Sequence, residues 1–257
     1  LTADQLKQPE LFYPLRLNFC YESGLAQLDY IVDSSTIYHP EYPYRSGITK
    51  ELAEYQRLFA IGIQKNLALS EESFCVDIGS NDGTLLTGFR ELGMLTLGVE
   101  PTNIALIAER ENRIETLQEF FGENLAKDIV RDYGHANLIT MTNVFAHMSN
   151  LGDVMRGLCH LLDEKGVFIS ETHYLLDIVE KTQFDTIYHE HIRTYTLKSL
   201  KILCENYGLE IFDVDRASRY GGNIRIYVGR KGIHPVNKKV DQLLQVEIER
   251  GLFDPET

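Results

Sequence analysis

The chain has 257 residues, of which 44% are hydrophobic and 25% charged, proportions that suit a globular protein with one sizeable core. Its formal net charge of −13 argues against nucleic acid as the main partner, because phosphate backbones bind clustered Lys and Arg. The four cysteines form no Cys-x-x-Cys pair, which disfavours a disulfide framework and a metal site. With no signal peptide and no apolar run long enough to span a bilayer, we expect a cytoplasmic protein that does not contact membranes.

The hydrophobic pattern divides the chain into a short N-terminal segment and a longer α/β region. The first 47 residues are rich in Tyr and Pro, and two prolines predict an ordered loop over residues 38–47. A helical pattern follows over residues 49–68. Strands are predicted over residues 74–78, 95–100, 138–142 and 166–171, with helices between them. This alternation indicates a parallel sheet covered on both faces, and two later strands, over residues 209–214 and 223–228, indicate an antiparallel end to it.

A strand, a glycine-bearing turn and the start of a helix coincide at residues 77–83. Gly79 and Gly83 allow the backbone to approach a ligand closely, and the start of the helix offers unpaired amides. Glu100 lies at the end of the next predicted strand, where it can accept hydrogen bonds from a ribose diol. The segment therefore predicts a site for a cofactor that contains a nucleoside.

Two further residues of this region favour S-adenosylmethionine over a nicotinamide dinucleotide. Asn81 stands near the position of the central glycine of the dinucleotide fingerprint. Asp77 closes the strand, where it can hold the methionine amino group through water or backbone. The alternative is that Asp82 caps the helix and Gly83 only relieves crowding.

Proton-handling side chains follow one another at Tyr188, His189, Glu190 and His191. In an extended segment Tyr188 and Glu190 share one face, whereas a turn allows all four side chains to converge. Methylation next to a ketone needs a base for the α-proton and a donor for the developing enolate, roles that suit His and Tyr. The residues alone leave open whether they are catalytic or only satisfy hydrogen bonds in a core.

Two other regions supply polar residues to the same side of the predicted sheet. His147 and Asn143 follow the strand over residues 138–142, where ligands bind in such sheets, although His147 can also simply begin a helix. Tyr42 and Tyr44 can cover the cofactor as a lid or only pack the N-terminal segment.

The segment at residues 219–225 carries candidate ligands for a diphosphate. Arg219 and Arg225 present guanidinium groups, which bind phosphate in a bidentate manner, and Tyr220 and Asn223 lie between them. The alternative for Arg225 is an exposed strand position.

Several motifs resemble the sugar C-methyltransferases that act on nucleotide-activated 4-keto-deoxysugars. The resemblance covers about residues 13–251, and its most specific element is the Tyr-His-Glu-His run at residues 188–191. The other matching segments are residues 42–47 (Tyr-Pro-Tyr-Arg-Ser-Gly), 76–86 (Val-Asp-Ile-Gly-Ser-Asn-Asp-Gly-Thr-Leu-Leu), 143–147 (Asn-Val-Phe-Ala-His) and 218–225 (Ser-Arg-Tyr-Gly-Gly-Asn-Ile-Arg).

The resemblance implies a fold, a reaction and roles for individual residues. The implied fold is a Rossmann-like class I methyltransferase sheet with helices on both faces, and the implied reaction methylates a carbon α to the substrate ketone. His191 is then the base, while Tyr188, Glu190 and His147 bind or polarise the substrate. The implied cofactor-binding residues are Asp77, Gly79, Asn81, Gly83, Glu100, Pro101 and Asn143. The implied substrate-binding residues are Tyr42, Tyr44, Arg219, Tyr220, Asn223 and Arg225.

The chain departs from this family at both ends. The family begins with a zinc module that has two cysteine pairs, but here Cys20 stands alone with Ser23 in place of its partner, so we expect no bound zinc. The family also has a further C-terminal α/β domain. The predicted organisation is a degenerate segment over residues 1–47, a cofactor-binding domain over residues 48–232, and a helix and tail over residues 233–257 that lead toward the missing domain.

Two other functions are compatible with the sequence. One is an O- or N-methyltransferase that acts on a sugar or a secondary metabolite. The other is a non-catalytic module that keeps the cofactor fold and binds a ligand or a protein. The oligomeric state, the sugar and the nucleotide stay open.

Overall fold

The computed structural model describes residues 3–10 and 12–255. The strands are β1 (Leu17–Cys20), β2 (Leu25–Leu28), β3 (Phe74–Ile78), β4 (Leu95–Val99), β5 (Thr116–Leu117), β6 (Ala136–Thr142), β7 (Leu162–His173), β8 (Arg193–Thr194), β9 (Leu209–Ala217) and β10 (Asn223–Arg230). The α-helices are α1 (Ser34–Ile37), α2 (Lys50–Asn66), α3 (Thr84–Glu91), α4 (Ile104–Asn112), α5 (Glu123–Tyr133), α6 (Leu151–Leu161), α7 (Leu175–Glu180), α8 (Leu197–Asn206) and α9 (Lys238–Glu249).

The main sheet has seven strands in the order β5-β4-β3-β6-β7-β10-β9. The five strands from β5 to β7 run parallel, and β10 is antiparallel to both of its neighbours. This confirms the predicted α/β class, including the antiparallel end. The order reverses at β3, where β4 lies on one side and β6 on the other, and ligands bind at such a switch point.

Both faces of the sheet are buried, because successive strand residues point to opposite sides. Val76 belongs to a core cluster that includes Ile129 and Leu158 of α5 and α6. Its neighbour Cys75 belongs to a second cluster on the other face, which includes Leu86 of α3. This two-sided burial explains why the parallel strands appear in the sequence as continuous apolar runs.

A second sheet of three strands joins the N-terminal segment to the rest of the molecule. Its order is β1-β2-β8, with antiparallel pairing. Strand β8 begins two residues after His191, and the Leu28 amide donates to the Ile192 carbonyl at 2.9 Å. The N-terminal segment therefore supports the Tyr-His-Glu-His run directly. No helix among the described residues is long and apolar enough to cross a membrane.

Candidate active site

A cavity of about 1070 Å³ opens at the carboxyl ends of the parallel strands. Its wall includes residues that follow β3, β4 and β6 and residues of the last part of β7, together with parts of the N-terminal segment and of residues 185–191 and 219–220. The volume lies just above the usual range for small-molecule sites, about 300–1,000 Å³. The parallel sheet thus places its ligand site at the predicted edge.

The turn after β3 is held tightly against β4. The Gly79 amide donates to the Val99 carbonyl at 2.7 Å, and Gly79 has a φ of +71°. A Cβ at Gly79 would lie 2.5 Å from the Val144 side chain, so both the backbone conformation and the close packing require glycine there. Gly79 lies on the cavity wall.

Gly83 lies outside the described cavity wall, in a place that suits the alternative of relieved crowding. It is the N-cap of α3 with a φ of +75°, and a Cβ there would lie 3.0 Å from Ile114 and 3.4 Å from Ala108 of α4. Asp82 accepts hydrogen bonds from the hydroxyl and the amide of Thr84 at 2.6 and 3.3 Å, but it is not the residue that caps α3.

Two buried carboxylates line the cavity beside the glycine turn. Glu100 is 6% exposed and accepts hydrogen bonds from the Asn81 amide at 3.1 Å and from the amide and hydroxyl of Thr102. Asp77 accepts one from the Thr140 hydroxyl at 2.6 Å. Burial raises the pKa of Asp77 to about 7 and also raises the pKa of Glu100. The Glu100 oxygen that faces Asn81 keeps room to accept a further hydrogen bond from a ligand.

Asn81 ties the N-terminal segment to the glycine turn. Its side chain accepts from the Ser46 amide at 2.8 Å and donates to the Tyr44 carbonyl at 2.9 Å. The segment therefore crosses the cavity, where the Tyr42 hydroxyl donates to Glu190 at 3.1 Å. Asn81, Tyr42 and Tyr44 all lie on the cavity wall, as do the predicted residues Pro101 and Asn143.

The Tyr-His-Glu-His run forms a turn, with the His191 amide donating to the Tyr188 carbonyl at 2.9 Å. The turn brings Tyr188, Glu190 and His191 to the cavity wall. His189 points away and contacts the Pro14 carbonyl through Nε2 at 3.1 Å. The turn alternative is therefore correct for three of the four side chains, while His189 packs against the N-terminal segment instead of converging with them.

Hydrogen bonds fix the protonation pattern of His191 and His147. Nδ1 of His191 lies 2.6 Å from the Thr186 carbonyl, and Nδ1 of His147 lies 2.7 Å from the Glu190 carbonyl. Because a carbonyl can only accept, each Nδ1 carries a hydrogen and each Nε2 of the neutral rings keeps its lone pair. Burial lowers the pKa of His147 to about 4 and also lowers the pKa of His191, so both rings are neutral at neutral pH.

His173 and Tyr38 are two polar residues of the cavity wall that were not predicted from the sequence. His173, at the end of β7, has its ring centroid 4.5 Å from that of His191. Burial lowers its pKa to about 4. Like His147, which was predicted because it follows a core strand, His173 lies at the carboxyl end of one. Tyr38 is the second, with a buried hydroxyl that has no partner among the described residues. A hydroxyl of this kind on a cavity wall is available to a ligand or to water.

Arg219 is the only Arg or Lys on the described part of the cavity wall. Its guanidinium lies over the Tyr55 ring at 4.5 Å and over the Tyr220 ring at 5.3 Å. The Tyr220 hydroxyl is 3.2 Å from that of Tyr44. The predicted residues Arg219, Tyr220 and Tyr44 are thus brought together at one end of the cavity.

Arg225 and Asn223 are placed differently from the prediction. Arg225 forms a buried ion pair with Glu171 at 2.6 Å and donates to the Tyr55 hydroxyl at 2.7 Å. Asn223 is fully buried and donates to Asn143 at 3.0 Å. Neither residue reaches the described cavity wall. The Arg225 guanidinium, which was predicted to bind a phosphate, is paired with Glu171 instead. Arg225 is also not an exposed strand residue.

Cys20 is exposed and unpaired. No group of three or more His, Cys, Asp or Glu within residues 3–10 and 12–255 is arranged to hold a metal ion.

Comparisons with known proteins agree with this geometry. A methyltransferase domain family model matches residues 52–214, more than half of the chain. The C-methyltransferase NovU of Streptomyces niveus is 29% identical over 245 residues, which cover 95% of this chain and 58% of that protein. The chain therefore spans less than two thirds of the curated relative that it matches.

Solved structures of methyltransferases share the fold. An S-adenosylmethionine-dependent methyltransferase from Clostridium acetobutylicum matches with a TM-score of 0.55 at 12% identity, over 70% of this chain and 92% of that one. The magnesium protoporphyrin IX methyltransferase of Synechocystis matches with a TM-score of 0.54 at 11% identity, over 70% of this chain and 83% of that one. These matches confirm the predicted fold. The chain belongs to the methyltransferase domain family, which supports the predicted cofactor, S-adenosylmethionine, as the methyl donor.

Proposed function

We propose that the protein methylates the carbon next to the ketone of a nucleotide-linked 4-keto-deoxysugar. The observation that carries the proposal is the unprotonated Nε2 of His191 in a neutral ring on the cavity wall. A base of this kind is what removal of an α-proton requires, whereas a simple methyl acceptor needs no enolate site. The relative NovU is a C-methyltransferase, which supports carbon as the acceptor.

The residues at the cofactor end suit S-adenosylmethionine. Glu100 has room to accept from a ribose hydroxyl, Asp77 offers a carboxylate toward an amino group, and Gly79 allows close approach of the backbone. The orphaned Tyr38 hydroxyl gives a further donor on this wall. When bound, the cofactor supplies an activated methyl group on its sulfonium.

The chain's own chemistry begins with the proton. Nε2 of His191 takes it from the α-carbon, and the electron pair of the broken C–H bond moves onto the carbonyl oxygen. Tyr188, next to His191 with ring centroids 4.3 Å apart, has a hydroxyl that can donate toward the substrate. Glu190 accepts from Tyr42, so the N-terminal segment helps to hold the substrate end together.

The charges on the cavity wall favour a position beside Arg219 for the diphosphate of the nucleotide sugar. Eight carboxylate residues lie on the described cavity wall, against one guanidinium, that of Arg219. They are Asp33, Asp77, Glu100, Glu119, Asp153, Glu171, Asp185 and Glu190. Two phosphates would be repelled from most of this wall, so we place them beside Arg219 and Tyr220.

The test is incubation of the protein with a panel of nucleotide-linked 4-keto-deoxysugars and S-adenosylmethionine in deuterated water, followed by mass spectrometry. Gain of a methyl group together with exchange of the α-proton supports the proposal. Methylation without exchange identifies an O- or N-methyltransferase. Cofactor binding without turnover on any sugar supports the non-catalytic module.

Replacing Glu100 by Ala is expected to weaken cofactor binding. A hydrogen bond to a charged group contributes about 1.5–3 kcal/mol, which corresponds to roughly a 10- to 150-fold rise in Kd. Calorimetry with S-adenosylhomocysteine measures the change. Glu109→Ala removes an exposed carboxylate of α4 that is outside the described cavity wall, and it should leave Kd unchanged. Equal affinities of Glu100→Ala and the unsubstituted protein would exclude Glu100 from ribose binding.

Replacing Arg219 by Ala is expected to raise KM for the nucleotide sugar by about 10- to 100-fold, because a charge-assisted contact to phosphate is lost. The value of kcat should change much less, since the reacting carbon lies beside His191. Arg131→Ala, which removes an exposed arginine of α5, serves as the control. A KM that stays constant would place the phosphates elsewhere.

A further inference from the structure

Three histidine rings meet on the cavity wall, although the proposed reaction assigns a base to only one of them. The ring centroid of His191 lies 4.5 Å from that of His173 and 5.1 Å from that of His147. Formation of an enolate also requires a donor for the oxygen that becomes negative. The identity of that donor, which matters only if the proposed function is correct, can be inferred from the contacts of the three rings.

The hydrogen bonds of the cluster exclude two of the three rings. His147 uses its Nδ1 hydrogen on the Glu190 carbonyl, and His191 uses its own on the Thr186 carbonyl. In the neutral rings each Nε2 then has only a lone pair to present to the cavity. His147, which the sequence suggested as a candidate for this role, cannot donate to an oxyanion in this state.

His173 is not constrained in this way. No hydrogen bond to its ring nitrogens is made by the described residues, and neither nitrogen is sealed from solvent. Either neutral tautomer therefore has an N–H without a protein acceptor. Strand β7 ends at His173, so the backbone that carries the ring is fixed by pairing between His173 and Asn223 of β10.

We propose that the ring N–H of His173 donates the hydrogen bond that stabilises the enolate oxygen when His191 removes the α-proton. The C–H bond breaks, its proton moves to Nε2 of His191, and its electron pair becomes the negative charge on the carbonyl oxygen. His173 keeps its own proton and shares it with that oxygen. Its low pKa, caused by burial, keeps the ring neutral beside the imidazolium that forms on His191.

Tyr188 is the other group near His191 that can donate. Tyr188 is 41% exposed and lies on an irregular turn, whereas His173 is half-buried and its backbone is held in β7 by pairing with β10. A donor whose position is fixed beforehand stabilises a developing charge more strongly, because it needs no reorganisation during the reaction. We therefore place His173 ahead of Tyr188.

The first test measures exchange of the substrate α-proton with deuterated water, using the 4-keto-deoxysugar that the unsubstituted protein exchanges fastest. His173→Phe keeps an aromatic ring but removes the donor, and it should slow exchange by about 10²- to 10³-fold, as loss of an oxyanion donor does. His173→Gln keeps an N–H donor and should restore most of the rate. Circular dichroism checks that both variants are folded.

The outcomes separate the two proposals. Exchange in the unsubstituted protein that is unchanged in His173→Phe overturns the donor assignment and leaves the proposed function intact. If His173→Phe loses exchange and His173→Gln does not restore it, the donor assignment is also overturned. The loss would then follow from altered packing at residue 173 and not from the missing N–H. Absence of exchange in the unsubstituted protein with every ketosugar counts against the proposed function itself.

A second measurement needs no substrate. Nitrogen-15 NMR of the histidine side chains reports which ring nitrogen carries the hydrogen. We expect Nδ1–H for both His147 and His191 at neutral pH. An Nε2–H form at His147 would give that ring a free donor. His147 could then donate to the enolate oxygen, and the reason for choosing His173 over it would be wrong.

Discussion

Replacing His191 by Ala abolishes methyl transfer and slows exchange of the substrate α-proton by about 10²- to 10⁴-fold, the usual contribution of a general base. This result is expected because the substitution removes the Nε2 lone pair that accepts the proton. The ring lies beside Tyr188, and its Nδ1 hydrogen is donated to the Thr186 carbonyl. Affinity for S-adenosylhomocysteine should stay the same, since the cofactor end is built by other residues. Single-turnover assays and calorimetry measure the two quantities separately.

The same four-residue run provides a matched control. His189 is two residues away but contacts the Pro14 carbonyl and the Tyr13 ring outside the cavity. His189→Ala should therefore keep both the exchange rate and cofactor affinity. Exchange at the unsubstituted rate in His191→Ala would move the base to another group, with Glu190 and His147 the next candidates.

The pH dependence of exchange follows from the direction of the pKa shift of His191. The ring must be neutral to accept a proton, so the rate falls as pH drops through its pKa. Burial lowers this pKa from the ordinary value of about 6.5, so the neutral form persists to a lower pH than in an exposed histidine. Activity that already declines between about pH 8 and 7 would be inconsistent with this environment.

Local patterns were sufficient to predict the glycine turn and the acid that the structure places on the cavity wall. The turn at residues 77–83 and the acid at residue 100 are defined by one strand-helix-strand unit, so periodicity and spacing alone locate them. Their partners were not predictable in the same way. The role of Asn81 as an anchor depends on residues 44–46 crossing the turn, and nothing in the local pattern specifies that path.

The substrate end depends on contacts that are distant in sequence. Arg225 lies directly opposite Glu171 because β10 pairs with β7 in one particular register. A shift of that register by one residue would turn Arg225 to the opposite face. Similarly, His189 leaves the cavity because the N-terminal segment supplies Pro14 as a partner. The spacing of residues in the sequence specifies neither the pairing of β10 with β7 nor the contact between His189 and Pro14.

Replacing Glu171 by Ala is expected to reduce the free energy of unfolding by about 3–5 kcal/mol, which is the usual effect of leaving a buried charge unpaired. The Glu171 side chain is 2% exposed and that of Arg225 is 16% exposed. The substitution also removes the acceptor for the Tyr55 hydroxyl and for the Asn223 amide, which donate at 3.1 and 3.2 Å. Denaturation by urea, monitored by circular dichroism, measures the loss.

Two comparisons determine whether the unpaired charge is the cause. Glu54→Ala breaks the exposed ion pair with Arg57, in which the side chains are 53% and 46% exposed, and it should cost about 0–1 kcal/mol. The double variant Glu171→Met with Arg225→Met removes both buried charges and should recover most of the lost stability. If Glu171→Ala costs no more than Glu54→Ala, Arg225 must have found water or another acceptor. The guanidinium would then be free enough to serve the phosphate role that the buried ion pair argues against.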